Sequence, residues 1–377
     1  MQEVKIISSA EVRGKRVLLR TSLNVPLLNG APGDLFRLKA ALPTILWLHE
    51  HGARIVILAH LGSEGATLEP IVTALSSLIS GVPVKFFPGA LSAAKAEIKK
   101  LLDGECLVLE NVRRNAGEES NDSKLAEAFA SLGDIYVNDA FADSHRGHAS
   151  IIGIPPLLPS YCGFLMAEEI ARLSPALTPP PHALAIIGGA KFQTKEPLIS
   201  KLLSSYEKIF LGGALANDVL KVRGAPIGSS VISSTPIPVE LAQNERLVVP
   251  VDAVFKDEGA NAEREAYINN VHKAEQIDDI GPITAQEWGK EISTAPFILW
   301  NGPVGVYELG FVSGTDALAE ALTRATGVGV VGGGDTLAAL QKFSFDPKRV
   351  FLSTGGGAML AFLTAGTLVG IEALRQN

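Results

Sequence analysis

Short β-rich apolar runs alternate along the chain with stretches in which apolar residues recur at helical spacing, and a glycine or polar turn separates one from the next. In the first half the apolar runs occupy 17–20, 54–60, 84–87, 107–110 and 135–138, with amphipathic stretches such as 38–50 and 92–102 between them. In the second half they occupy 183–187, 208–211, 247–255, 297–300, 328–331 and 350–352. Strands covered on both faces read as continuous apolar runs, and their alternation with helices implies right-handed crossovers between parallel strands. The pattern therefore predicts an α/β fold with parallel sheets. About eleven strands would crowd one open sheet, so two sheets in two domains are expected. The break falls within 151–181, where Pro155, Pro156, Pro159 and then Pro179, Pro180 and Pro181 bracket a helical pattern through Met166 and Ile170. A helix flanked by proline-rich turns suits a hinge.

Several second-half strands end in glycine: Gly188-Gly189-Ala190-Lys191, Gly212-Gly213, Gly302-Pro303, Gly332-Gly333-Gly334-Asp335-Thr336 and Gly355-Gly356-Gly357. Ligands of doubly wound sheets bind at the carboxyl ends of strands. Glycine lets the backbone approach a ligand closely, and a helix start offers free N–H donors with partial positive charge. One such turn reads as a connector needing positive φ; five in one half point to a phosphate or nucleotide site. The literal G-x-G-x-x-G of 327–332 runs through the expected strand instead of following it. No acidic ribose partner stands about twenty residues on, so a nicotinamide site is rejected. Asp335 suits either a helix N-cap or a Mg²⁺ ligand facing nucleotide phosphates.

In the first half Arg20, Arg37, Arg113, Arg146 and His60 lie at or just after strand ends or turns, and His145 and His148 flank Arg146. A lone arginine is usually solvated and a lone histidine usually structural. Together they suit an anion of high charge, because arginine grips phosphate and carboxylate bidentately and stays protonated. His145 and His148 lack a neighbouring third ligand for a metal.

Composition narrows the function classes. Among 377 residues, 47% are hydrophobic and 19% charged, which argues against disorder. Lys plus Arg number 33 against 40 Asp plus Glu, a formal charge of −7 that argues against general duplex binding. The expected partners are small molecules, without nucleic acid or membrane. Two cysteines, Cys106 and Cys162, build no disulfide framework and suit a reducing, cytoplasmic setting. No basic n-region precedes an apolar h-region, and no run of 18 apolar residues occurs.

Taken in order, the motifs resemble those of phosphoglycerate kinases over nearly the whole chain. They are Leu23-Asn24-Val25-Pro26, Arg37 with Ala40-Ala41-Leu42-Pro43-Thr44-Ile45, His60-Leu61-Gly62, Leu109-Glu110-Asn111-Val112-Arg113 and Val137-Asn138-Asp139-Ala140-Phe141. His145-Arg146-Gly147-His148, Gly188-Gly189-Ala190-Lys191, Leu299-Trp300-Asn301-Gly302-Pro303, Gly332-Gly333-Gly334-Asp335-Thr336 and Ser353-Thr354-Gly355-Gly356-Gly357-Ala358 follow. The resemblance implies two Rossmann-like parallel-sheet domains joined by a hinge helix. The acid-substrate domain would span 1–155, with the tail 363–377 packing back on it; the hinge helix would span 156–175 and the nucleotide domain 176–362. The first would hold 3-phosphoglycerate or 1,3-bisphosphoglycerate, the second ADP or ATP with Mg²⁺, in a monomer that closes to bring them together. By the same resemblance Ser22, Asn24, Arg37, His60, Ser63, Arg113 and Arg146 fall in the acid-substrate site. Gly189, Lys191, Lys195, Gly213, Asn301, Pro303, Glu308, Gly333, Gly334, Asp335 and Thr336 fall in the nucleotide site, with Glu308 on the ribose and Asp335 on magnesium. Arg37, Lys191, Gly333 and Gly356 would stabilise the transferring group.

The sequence also departs from the family pattern. Ser22 stands where the family usually has Asp, and Ser63 where it has Arg; the two losses leave the local charge unchanged. Gln193-Thr194 replaces Ser-Asp, Ile277-Asp278-Asp279-Ile280-Gly281-Pro282 replaces G-L-D-I-G-P, and Met359 and Ala361 stand where Ser and Glu are common. Arg37, Lys191, Lys195 and Asp335 are intact, so an active, divergent enzyme is expected over an impaired relative that binds nucleotide only.

Overall fold

The structure is a computed structural model that describes residues 4–62, 66–190, 192–257 and 263–376. It divides into two compact units, one of residues 1–171 with 367–377, the other of 172–366.

In the first unit the strands are β1 (Arg16–Thr21), the short pair β2 (Leu27–Leu28) and β3 (Ala31–Pro32), β4 (Arg54–Leu58), β5 (Val84–Phe87), β6 (Cys106–Leu109), β7 (Ile135–Asp139) and β8 (Ser160–Cys162). Its helices are α1 (Phe36–Glu50), α2 (Glu69–Leu78), α3 (Leu91–Ile98) and α4 (Ser123–Ala130), and α5 (Phe164–Leu177) passes from this unit into the next. Six strands form one sheet in the order β5-β6-β4-β1-β7-β8, all pairs parallel. The centre of β1 is sealed, with Val17, Leu18 and Leu19 each 0% exposed. That two-sided burial is why β1 reads as an unbroken apolar run.

The second unit holds β9 (Leu184–Ile187), β10 (Lys208–Leu211), β11 (Leu247–Val248), β12 (Asp252–Asp257), β13 (Glu263–Tyr267), β14 (Glu275–Ile280), β15 (Phe297–Asn301), β16 (Val328–Gly332) and β17 (Val350–Ser353). Its helices are α6 (Phe192–Leu202), α7 (Ala214–Val222), α8 (Val239–Ala242), α9 (Pro282–Thr294), α10 (Ser313–Arg324), α11 (Gly334–Leu340) and α12 (Gly357–Ala365). The last helix, α13 (Val369–Arg375), belongs to the first unit. The main sheet runs β11-β10-β9-β15-β16-β17, again parallel throughout. Trp300 and Ile186 are fully buried at its centre.

Both parallel sheets agree with the expected α/β architecture, with one correction. The apolar run 247–255 is two strands, not one: β11 edges the parallel sheet, and β12 is the middle of a separate antiparallel sheet, β13-β12-β14. Pro250 lies between them, and a residue without an N–H cannot continue a ladder. The G-x-G-x-x-G match lies on β16 itself, as the rejection of a nicotinamide site requires. Among the described residues no single helix is long and apolar enough to cross a membrane.

Candidate functional site

In each parallel sheet the strand order reverses at one point. In the first unit the chain leaves β1 toward β4 and later returns to its other side at β7. In the second it leaves β9 toward β10 and returns at β15. The crevice at the carboxyl end of such a switch point is where open α/β sheets hold ligands. The described residues among those singled out in the sequence gather at these two places.

At the first switch point a buried polar cluster sits under a basic rim. Arg20, near the end of β1, is 1% exposed. Its Nη1 donates to the backbone oxygen of Thr21 at 2.6 Å, and its Nε donates to Ser150 Oγ at 3.0 Å. Ser150 Oγ donates in turn to the buried Glu118, whose carboxyl is pushed up by desolvation against the pull of Arg20. Nη1 also lies 3.3 Å from Asp143 Oδ2. Ser22 Oγ donates to that same oxygen at 2.9 Å.

His60, just beyond β4, places Nδ1 at 3.3 Å from Arg20 Nη2. Nδ1 also lies 3.5 Å from Asp143 Oδ2, so this nitrogen faces a donor on one side and a carboxylate acceptor on the other. Burial lowers the His60 pKa, with Arg20 and Arg113 acting the same way against the attraction of Asp143. Nε2 is buried with no partner among the described residues. A stranded buried polar atom costs on the order of 1–3 kcal/mol, and a hydrogen-bonding partner brought by a ligand would relieve it.

Around this cluster the rim residues are half-buried and tied by backbone oxygens. Arg37 Nη1 donates to Asn24 O at 2.6 Å, and Asn24 Oδ1 accepts from Gly62 N at 3.0 Å. Gly62 O accepts from Arg113 Nη1 at 2.7 Å. Arg113 Nε lies 3.2 Å from Glu119 Oε1, and Arg146 Nη1 lies 3.8 Å from Asp143 Oδ1. Desolvation, then Arg113 and Arg146, push the His148 pKa down to about 4. The field here is positive. Six of the seven residues expected at the acid site thus fall into two bonded groups, Ser22, His60 and Arg146 about Asp143, and Asn24, Arg37 and Arg113 linked through Asn24 and Gly62; Ser63 lies outside the described residues. Asp143, Glu118 and Ser150 complete the first group and were not singled out in the sequence.

At the second switch point glycine turns pack backbone against backbone. A Cβ on Gly188 would come 1.9 Å from Pro303 O, and one on Gly302 would come 2.2 Å from Gly188 O. One on Gly213 would come 3.0 Å from Gly189 O. These glycines are required by the loops' own packing. Gly334 differs: nothing lies within 4 Å of a Cβ placed there.

Lys195 holds this centre. Its Nζ donates to Gly188 O at 2.6 Å, Asn301 Oδ1 at 2.7 Å and Asn301 O at 3.1 Å. Desolvation lowers its pKa from 10.5 to about 8, partly offset by Asp335. Asn301 Nδ2 donates to Gly332 O at 2.9 Å, joining β15 to β16. Gly333, at φ +106°, caps α11, so Asp335 is not the N-cap; it is an exposed residue of the first turn. Thr336 is buried and its hydroxyl accepts from Gly302 N at 2.7 Å, an internal contact. Glu308 is exposed on the turn Tyr307–Leu309, and both it and Asp335 act electrostatically on Tyr307, whose pKa burial raises first. Gly356, at φ +49°, caps α12, which packs on α6. Lys191 lies outside the described residues.

Comparison with known proteins gives one family. The family model described as phosphoglycerate kinase matches residues 7–366. A phosphoglycerate kinase of Roseiflexus sp. (strain RS-1) is 39% identical over 393 residues, covering 99% of either chain. That of Moorella thermoacetica is 38% identical over 388 residues, covering 98% of this chain and 99% of its own. Among solved structures, the phosphoglycerate kinase of Coxiella burnetii superposes with a TM-score of 0.85 at 37% identity, covering 99% of each chain. The enzyme of Pyrococcus horikoshii OT3 gives 0.87 at 29% identity and 98% of each chain.

Proposed function

The chain belongs to the phosphoglycerate kinase family, and from that membership we propose that it moves a phosphoryl group between 1,3-bisphosphoglycerate and Mg-ADP, yielding 3-phosphoglycerate and ATP, in glycolysis and in the reverse direction. The observation that carries the reading is the set of Asn24, Arg37, His60, Arg113 and Arg146, gathered at a switch point around a buried ring nitrogen that has no partner among the described residues. Such a surface suits a small acid with two anionic ends.

Phosphoryl transfer to or from an anionic oxygen needs no general base. It needs in-line positioning and neutralisation of the three equatorial oxygens. In this reading Arg37, Lys191 and the amides of Gly333 and Gly356 supply the positive field. Asn24, His60, Arg113 and Arg146, with Ser22 and Ser63, hold the acid. Lys191 and Lys195 take the nucleotide phosphates, and Gly189, Gly213, Asn301, Pro303, Glu308, Gly334 and Thr336 shape the loops around the nucleotide, Glu308 on the ribose. Lys195 would exchange some of its protein acceptors for phosphate oxygens.

Among the described residues no group of three His, Cys, Asp or Glu could hold a metal unaided. A single open carboxylate, Asp335, suits a Mg²⁺ that arrives on the nucleotide and keeps phosphate oxygens as its other ligands. Held there, the ion would supply neutralisation of phosphate charge. The proposal includes a cytoplasmic monomer with α5 as its bending element.

Intact Arg37, Lys195 and Asp335 favour turnover over an impaired relative that only binds nucleotide. A coupled assay of ATP formation from 1,3-bisphosphoglycerate and Mg-ADP tests this. Steady turnover is expected; a folded protein that binds nucleotide without turnover overturns it.

A further inference from the structure

Position 22 is where this chain lacks the carboxylate usual in its family, yet the neighbouring Arg20 remains and is 1% exposed. A buried guanidinium without a counter-charge is strongly destabilising. The counter-charge comes from the opposite side of the switch point, on the turn that follows β7. Asp143 is 3% exposed and meets Ser22, Arg20, His60 and Arg146. Its Oδ2 accepts from Ser22 Oγ at 2.9 Å and lies 3.3 Å from Arg20 Nη1 and 3.5 Å from His60 Nδ1, while Oδ1 lies 3.8 Å from Arg146 Nη1.

We propose that Asp143 is the positioning residue of the acid-binding cluster, holding Ser22, Arg20 and His60 in one arrangement in place of a carboxylate at position 22. The inference rests on the phosphoglycerate kinase reading of that cluster. The turn that carries Asp143 is itself fixed. Asn138 Oδ1 accepts from Ala140 N at 3.0 Å, and Ser144 Oγ donates to Ala140 O at 2.9 Å. Gly370 N, in α13, donates to Ser144 O at 2.9 Å.

The arrangement has chemical consequences. Ser22 spends its one hydrogen on Asp143, so its oxygen retains acceptor capacity only. Arg20 and Asp143 neutralise one another directly beside His60 Nδ1. Burial would raise the Asp143 carboxyl, but Arg20, His60 and Ser22 hold it far below the ordinary carboxylate range, so the charge is permanent at working pH.

The experiment is a charge relocation. Parent turnover with 3-phosphoglycerate and ATP checks the kinase reading separately; only the variants' Michaelis constants bear on Asp143. Asp143→Ser is expected to raise KM for 3-phosphoglycerate about tenfold, the worth of one charged hydrogen-bond contact, with KM for ATP unchanged. Ser22→Asp alone, which crowds two buried carboxylates, is expected to raise it similarly. The double variant, Ser22→Asp with Asp143→Ser, returns one carboxylate to position 22 and is expected to recover KM to within about threefold of the parent. A purely structural loss would not be rescued by moving the charge while KM for ATP stays fixed. An Asp143→Ser protein with parental KM, or a double variant no better than Asp143→Ser, overturns the proposal. If Asp143→Ser does not fold, Ser22→Ala keeps the ion pair and removes only the bridging hydroxyl; KM for 3-phosphoglycerate raised about fivefold supports the proposal, and an unchanged KM overturns it.

Discussion

Lys195 Nζ donates to Asn301 Oδ1 at 2.7 Å, locking a lysine of α6 to the end of β15. The same ammonium is largely shielded from water, and desolvation sets its pKa at about 8. A phosphate can be gripped only by the protonated form. The free enzyme's KM for Mg-ADP should therefore be flat below pH 8 and rise above it, approaching tenfold per pH unit. KM for the acid substrate should not follow. Lys195→Arg, which stays protonated, should remove the inflection. Initial-rate profiles between pH 6.5 and about 9.5 decide the matter; a nucleotide KM that ignores pH in the parent removes Lys195 from phosphate binding.

Two glycines of the second unit separate packing from ligand approach. Gly188→Ala would drive a methyl into Pro303 O and should cost about 2 kcal/mol or more, seen as a lowered Tm. Gly334→Ala meets open space in a helix and should leave Tm unchanged or slightly raised. If that space belongs to the nucleotide phosphates, the methyl should still raise nucleotide KM several-fold. Equal Tm losses in both variants contradict the distinction.

Asp139 caps the hinge-helix candidate α5. Its Oδ1 accepts from Met166 N at 3.0 Å. Burial raises its pKa from 3.8 to about 6, against bonds from Met166, Thr44 and Leu165. A raised folded-state pKa adds stability that is full below about pH 4 and lost as pH rises through about 6. Asp139→Asn does not titrate, so its stability relative to the parent should improve by on the order of 2 kcal/mol from pH 4 to pH 7. Denaturant unfolding of both proteins at the two pH values checks the sign; a pH-independent difference contradicts it.

Arg37 lies on the first turn of α1 with Nη1 donating to Asn24 O at 2.6 Å. As a donor to the transferring group it should carry about 3 kcal/mol, so Arg37→Ala should lower kcat by roughly a hundredfold or more. Its Tm should stay near the parent's. A near-normal kcat excludes the role.

The fold was legible wherever strands are covered on both faces, as Val17 to Leu19 and Leu184 to Ile187 are. It was illegible at β13, whose residues alternate exposed and half-buried and carry Glu263, Arg264 and Glu265, so no apolar signal marks it. At 247–255 the run stays apolar across a change of sheet, and only Pro250 betrays the break. The glycine turns were visible as motifs. That Gly188 and Gly302 press on each other's loops while Gly334 faces open space is a tertiary fact. Thr336, singled out for nucleotide binding, spends its hydroxyl on Gly302 N. Asp143 escaped because its partner Ser22 is 121 residues away, and an isolated acid in a turn gives no sign of a distant buried arginine.

The central claim is direct transfer of a phosphoryl group between nucleotide and acid. Incubation with ATP labelled at the γ-phosphate, Mg²⁺ and 3-phosphoglycerate, with hydroxylamine to trap the acyl phosphate, tests it most directly. The account predicts hydroxamate formation matched by label release, both dependent on 3-phosphoglycerate and slowed together by roughly a hundredfold or more in Arg37→Ala. Label released as phosphate without 3-phosphoglycerate, or no hydroxamate from folded protein, contradicts it.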